Sequence, residues 1–428
     1  MKITSAKCTY EMTDFKGKFG FKGSYINGAM QVTAKIETEN EYGVGSCNYS
    51  VLWSDASIFA EYGGDKGNEL MLCVTNYALS LLRGKEFTNP IDLIDSIYPE
   101  VLAYAKVVTK YGEKLKETFA KNALVCVDNA LWQLYGKLSK TEDIMELIPE
   151  NLKKPLAYQH KIVGNIPLIT YALTKQDITN LLDSGMFVLK IKIGLDPTGK
   201  DDLGAMLEWD KARLKEIHDI AKNYKSEYTV SGNILYYLDA NGRYDTLERL
   251  QGLLDFAKEE GILDRIILLE EPFAEDNKID VSSLPVRIVA DESAHSLKDV
   301  EERIKLGYKA VALKAIAKTL SESLKILAKA TEEGVECFCA DLTVTPYVLE
   351  FNKNVASRIK PLPELKVGLL ESNGEQNYVD WAKLTSFHPM ADRKFVSCKD
   401  GVFTLDDEFF KVSGGIFRYS DHYDNVNQ

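Results

Sequence analysis

Residues 185–194 read GMFVLKIKIG. Branched and large apolar residues dominate this run, as in a strand buried on both faces, yet two lysines stand inside it. Side chains on a strand point alternately to its two faces, so Lys190 and Lys192 share one, and strand alternation places it inward. One lysine in such a place could reach solvent along its own stem. Two on one face call for another reason.

Seven runs of the same texture surround it: IPLITYAL (166–173), NILYYLDA (233–240), RIILLEEP (265–272), VRIVADES (286–293), KAVALKAI (309–316), VECFCAD (335–341) and KVGLLES (366–372). Polar segments of helical character separate them, the longest after 185–194. Strands that alternate with helices form parallel sheets, and eight of them predict a closed barrel rather than an open sheet. An open doubly wound sheet is the competing reading, but no glycine-rich phosphate turn follows the first strand. GKFGFKG at 17–23 lies between strand-like segments and is read as a flexible loop, not a nucleotide motif.

The first 150 residues or so have a different texture, that of a mixed α+β unit. MQVTAKIET (30–38) alternates as a strand, YGVG (42–45) is read as a turn, and NELMLCVTNYALSLLR (68–83) as a helix. The spacing predicts a second helix over 118–140, with Gly136 as its stop signal. The predicted organisation is an N-terminal α+β domain over 1–155, a (β/α) barrel over 156–390 and a C-terminal segment over 391–428.

Barrels place their chemistry at the C-terminal ends of the strands. The residues found there are Lys190 and Lys192, Asp239, Glu270, Asp291 and Lys314. Three acids from successive strands, each behind an apolar run, would repel one another and be poorly solvated unless a cation neutralised them. Oxygen-only ligation suits a hard divalent ion, and this points to Mg²⁺ held by Asp239, Glu270 and Asp291. An ammonium beside another ammonium loses its proton more readily, so Lys190 would make Lys192 a general base, with Lys314 opposite as its counterpart.

These motifs resemble the enolase superfamily, in particular its muconate-lactonizing subgroup with the Lys-x-Lys pair. The matching stretches are ALWQLYGK (130–137), LKIKIG (189–194), LDANG (238–242), LEEP (269–272), ADES (290–293) and ALKAIAK (312–318), with DGVFTLDDEFFKVSGG (400–415) as the segment returning to the cap. The resemblance implies a modified (β/α)7β TIM barrel of the α/β class, carrying an α+β capping domain built from the N-terminal region and the C-terminal segment. It implies Mg²⁺ on Asp239, Glu270 and Asp291, an acid/base pair of Lys192 and Lys314, and Lys190 tuning Lys192 and contacting the substrate carboxylate. One irregular connection, the first, is implied too. Residues 14–27 would cover the mouth and help to choose the substrate, with Phe19, Asp341 and Glu371 as substrate contacts.

The implied chemistry is removal of a proton α to a carboxylate through an enediolate, and lysines on both faces favour racemisation or epimerisation of a dipeptide or N-acylated amino acid. An o-succinylbenzoate synthase-like dehydratase or cycloisomerase is the alternative. A Schiff-base aldolase would not need three convergent acids, and a non-catalytic barrel protein would hold them by chance. None of the histidines, at 160, 218, 295, 388 and 422, falls at a strand end, which leaves the His-Asp base of other branches without a candidate.

A formal charge of -12 would repel nucleic acid and anionic membrane, so neither is expected as a partner; a small-molecule carboxylate and further copies of the chain are. The seven cysteines lack ligand-like spacing, Cys337 and Cys339 being read as small core residues, and no signal or membrane-spanning run is found. A reducing cytoplasm is the expected compartment.

Overall fold

A computed structural model describes residues 1–21 and 24–425, with the side chains of Phe19 and Phe21 outside the described part. Strands β1 (Ser5–Phe21), β2 (Ser24–Glu37) and β3 (Tyr42–Asn48) form an antiparallel sheet. Of the helices α1 (Val51–Ser54), α2 (Ala56–Leu82), α3 (Pro90–Val108) and α4 (Glu117–Ser139), α2 and α4 pack against it, and α1 and α3 pack on those two helices. Residues 42–45, predicted as a turn, instead open β3. Their glycines serve helix packing: a Cβ on Gly43 or Gly45 would stand 2.1 Å from the backbone of Ala130 in α4. Gly136 does not stop α4, which runs on to Ser139; it makes room for the ring of Phe417, 2.4 Å from where its Cβ would be. Residues 17–21 extend β1 rather than forming a loop, and Lys22 and Gly23 lie outside the described residues.

The second sheet contains β4 (Ile162–Ile166), β5 (Leu168–Ile169), β6 (Val188–Lys192), β7 (Leu235–Asp239), β8 (Ile266–Glu270), β9 (Ile288–Ala290), β10 (Ala310–Leu313), β11 (Glu336–Cys339), β12 (Gly368–Glu371) and β13 (Val402–Thr404). Parallel pairing runs from β5 through β6 to β12 in chain order, and β12 pairs with β4. Only Pro167 separates β4 from β5, and proline cannot donate to a ladder; one interrupted strand therefore meets both ends of the sheet and the barrel closes. The eight predicted strands all contribute, the first one beginning earlier than its motif.

The irregular connection is not the first, which carries the helix Lys175–Asp183, but that from β8 to β9, where residues 271–287 contain no helix. The C-terminal segment returns to the N-terminal domain as expected, through Ser413, Ile416, Phe417 and Arg418 against Ile144, Gln133 and Gly136, but it also serves the barrel. Within 400–415, β13 pairs antiparallel with β4 and so joins the barrel sheet, since Val402 and Phe403 are apolar and bury there. Among the described residues of this segment, 419–424 reach the cap sheet, through Tyr419 stacked on Tyr42, Tyr423 accepting from Gln31, and Asp424 accepting from Tyr42. Apolar packing is continuous from the barrel core into the cap through Trp53, Ile91 and Trp132, while a separate core lies within the cap. Among the described residues no helix is long and apolar enough to cross a membrane.

Candidate active site

Parallel strands in register deliver their last side chains to one level. Lys192 stands opposite Asp239, and Asp239 opposite Glu270, so the ends of β6, β7 and β8 meet at the barrel mouth. The cap covers it. A cleft there is lined by Lys190, Lys192, Asp239, Glu270, Asp291 and Lys314 from the barrel and by Phe15, Ile26, Tyr49 and Trp53 from the cap. All six residues assigned by sequence to metal and acid/base work thus share one cavity, and all are buried.

Their arrangement has two banks. On one, Asp239 Oδ2 lies 3.0 Å from Lys190 Nζ and 2.6 Å from Lys192 Nζ. On the other, Asp291 Oδ2 lies 2.5 Å from Lys314 Nζ and its Oδ1 3.3 Å from Lys318 Nζ. Glu270 stands between, 2.9 Å from Lys190. Burial alone would raise the pKa of Asp239, but the two ammonium groups outweigh it and bring it down to about 2. Asp291 is likewise held low, against burial, by Lys314 and Lys318. The lysines answer in kind: burial pulls Lys190 and Lys314 down, and the surrounding carboxylates more than restore them. Lys190, expected to tune its neighbour, is therefore itself fixed as a cation among Asp239, Glu270 and Glu371.

Glu270 behaves differently. Burial, Asp291 and Glu292 together push it up to about 8, despite Lys190 beside it. A carboxyl held toward its neutral form by burial first, and then by two neighbouring acids, is one that a nearby cation would return to its charged form. Oxygens of Glu270, Asp291 and Glu292 lie within 4.8 Å of one another, and all are hard donors. The residues present therefore fit a divalent cation of the Mg²⁺ kind. The predicted set overlaps this cluster in Glu270 and Asp291. Asp239 is in the same cavity, but its carboxylate is engaged by the two lysines, and Glu292 takes the third place in the cluster.

Glu271 has a different task from Glu270. At φ 39° it turns away, and its Oε1 accepts from the Asp291 and Ser293 amides and the Ser293 hydroxyl, fixing the end of β9. Glu371 accepts from Lys190 at 3.2 Å and from the Asp341 amide at 3.1 Å, and so faces the cleft. Asp341 is committed to its own loop, accepting from the amides of Leu342 and Asn373. Phe19 lies on β1 opposite Ile26, its side chain outside the described part.

Four residues escaped the sequence reading. Asn241 takes Lys192 on its Oδ1 at 2.5 Å and donates to Glu292 at 3.1 Å; Lys318 donates to the Asp291 carbonyl at 2.6 Å. Asn241 and Glu292 sit inside the quoted motifs LDANG and ADES, and Lys318 ends ALKAIAK, so proximity to the strand ends could have found them. Trp53, 5% exposed, comes from α1 in the cap, where no local pattern sets it apart.

The family model Enolase C-terminal domain-like matches residues 174–370. No curated protein matches the sequence. Among solved structures, a dipeptide epimerase from Enterococcus faecalis in complex with Mg and L-Leu-L-Tyr is similar, with TM-score 0.62 and 19% identity over 87% of this chain and 90% of that one. A mandelate racemase/muconate lactonizing protein from Herpetosiphon aurantiacus has TM-score 0.65 and 17% identity over 95% and 96% of the two chains. An N-succinyl Arg/Lys racemase from Bacillus cereus has TM-score 0.63 and 17% identity over 89% of each. Residues 174–370 thus match the enolase C-terminal domain-like family model, and nearly the whole chain shares the fold of these solved structures.

Proposed function

We propose that the protein is an Mg²⁺-dependent enzyme that moves the proton α to a substrate carboxylate, acting as a racemase or epimerase of a dipeptide or N-acylated amino acid. One observation carries the reading: Lys192 and Lys314 enter a single buried cleft from opposite banks, with the acids between them.

Asp239, Glu270 and Asp291 would hold the ion, with Glu292 beside them; a bound divalent cation would stabilise the charge that gathers on the substrate carboxylate when its α-proton leaves. Lys190, already a fixed cation, would contact that carboxylate. One lysine of the opposed pair, neutral at the start, takes the proton onto Nζ; the other, charged at the start, returns its own to the opposite face. The Cα–H bond broken is replaced by one of opposite hand, and reversal exchanges the roles. Glu371, beside Lys190 and facing the cleft, would receive a substrate ammonium or amide, and Phe15, Ile26 and Leu168 offer an apolar wall for the rest. Dry surroundings strengthen each of these contacts.

Solved relatives of the fold include a dipeptide epimerase with Mg and a dipeptide bound and an N-succinyl Arg/Lys racemase, which supports both the metal and the substrate class. The test is a panel of dipeptides and N-acylated amino acids incubated in D₂O with and without Mg²⁺. The reading expects Mg²⁺-dependent deuterium at Cα and inversion with no loss of water. Release of water would identify a dehydratase instead, and borohydride trapping without metal a Schiff-base enzyme.

A further inference from the structure

The two opposed lysines are surrounded differently. Lys192 rests between two oxygen acceptors of the barrel, Asp239 and Asn241. Lys314 has Asp291 on one side and, on the other, the indole of Trp53, 4.5 Å from Nζ to the ring centroid. That ring belongs to α1, in the N-terminal domain. Its Nε1 lies 3.4 Å from Asp291 Oδ2, the oxygen that Lys314 contacts, and the ring lines the cleft.

We propose that Trp53 is a positioning residue for Lys314, so that proton transfer at one face of the substrate depends on the cap while transfer at the other depends on the barrel alone. The inference rests on the two-lysine reading given above.

Three features carry it. An indole face attracts an ammonium electrostatically, without offering an atom that could take its proton, and therefore orients Nζ without competing with substrate. A flat apolar ring also keeps water from that side of the lysine, which the Asp239–Asn241 bank achieves with polar groups instead. Trp53 is itself held firmly: it is 5% exposed and belongs to the apolar packing that joins barrel to cap. The two ends of its helix are fixed as well. Ser54 donates to Asn122, and the Ser50 amide does the same, so α1 is tied to α4 at both ends. A ring so fixed sets where Lys314 can stand.

The test compares Trp53→Leu and Trp53→Phe with the wild-type protein, Lys192→Ala and Lys314→Ala. Two readouts are taken. The first is α-deuterium exchange measured separately from each substrate enantiomer, with the alanine variants showing which enantiomer each lysine works on. Trp53→Leu is expected to slow exchange from the Lys314 enantiomer by more than about tenfold while the Lys192 enantiomer changes by less than about threefold, and Trp53→Phe to restore most of the loss. Equal slowing of both enantiomers, or of neither, would overturn the proposal. A merely structural loss would slow both.

The second readout needs no substrate. In protein labelled with ¹³C at lysine Cε, one resonance should be displaced upfield by the indole ring current, vanish in Lys314→Ala and return toward the ordinary position in Trp53→Leu. If no compound in the panel exchanges its α-proton, the proposed function falls while this resonance still decides whether Trp53 holds Lys314; its absence from the wild-type spectrum would refute the contact.

Discussion

The two banks of the cleft are built to one plan and finished differently. Each has an aspartate gripped by two lysines: Asp239 by Lys190 and Lys192, Asp291 by Lys314 and Lys318. On the β6–β7 bank both lysines come from one strand and both line the cleft. On the β10 bank only Lys314 does; Lys318, one helical turn further on and 1% exposed, faces the backbone of Asp291. The likeness shows how acids this deeply buried are kept ionised. The difference separates their surroundings: three lysines line the cleft, and the fourth faces the scaffold.

Breaking either bank at the lysine proposed to carry the proton should have the largest effect. Lys192→Ala and Lys314→Ala are each expected to slow interconversion of the enantiomers by about a thousandfold or more, with circular dichroism unchanged. The second effect separates Lys318 from Lys190. Removing a buried ammonium leaves its carboxylate partner uncompensated, so Lys318→Met should lower unfolding stability by roughly 3 kcal/mol in denaturant titration. Retention of full stability would mean that Lys318 is not the scaffold cation.

The third concerns the acid between the banks. Glu270→Gln should weaken Mg²⁺ binding by about a hundredfold in calorimetry. Running Asp239→Asn beside Glu292→Gln sharpens the result: Asp239 is the sequence-derived ligand and Glu292 the third member of the geometric cluster, and the one whose loss costs more affinity is the closer partner of the ion. Smallest of all should be Asn241→Ala, which frees Lys192 from one of its two acceptors. It is expected to slow exchange about fivefold, and only from the enantiomer that Lys192 serves.

Most of the barrel was legible because a strand buried on both faces leaves no room for a charge without a purpose. Lys190, Asp239, Glu270 and Asp291 each end an apolar run, and register in a parallel sheet brings such ends together wherever the chain returns. Long-range approach left weaker traces. Gly43 and Gly45 looked like a turn because glycine permits both a bend and close packing, and only the position of α4 tells which. The segment 400–415 carried no mark distinguishing a strand of the barrel from one of the cap; that choice was made by β4, more than two hundred residues earlier. Trp53 is the clearest case. An aromatic residue in a short helix is usually core, and its place over Lys314 is a property of how two domains meet.

Exchange of the α-proton from separate enantiomers in D₂O, with Mg²⁺ present, tests the opposed lysines most directly. Lys192→Ala and Lys314→Ala are predicted to lose exchange from opposite enantiomers, each retaining the one that the other loses. Wild-type exchange from both enantiomers in either variant would contradict that arrangement.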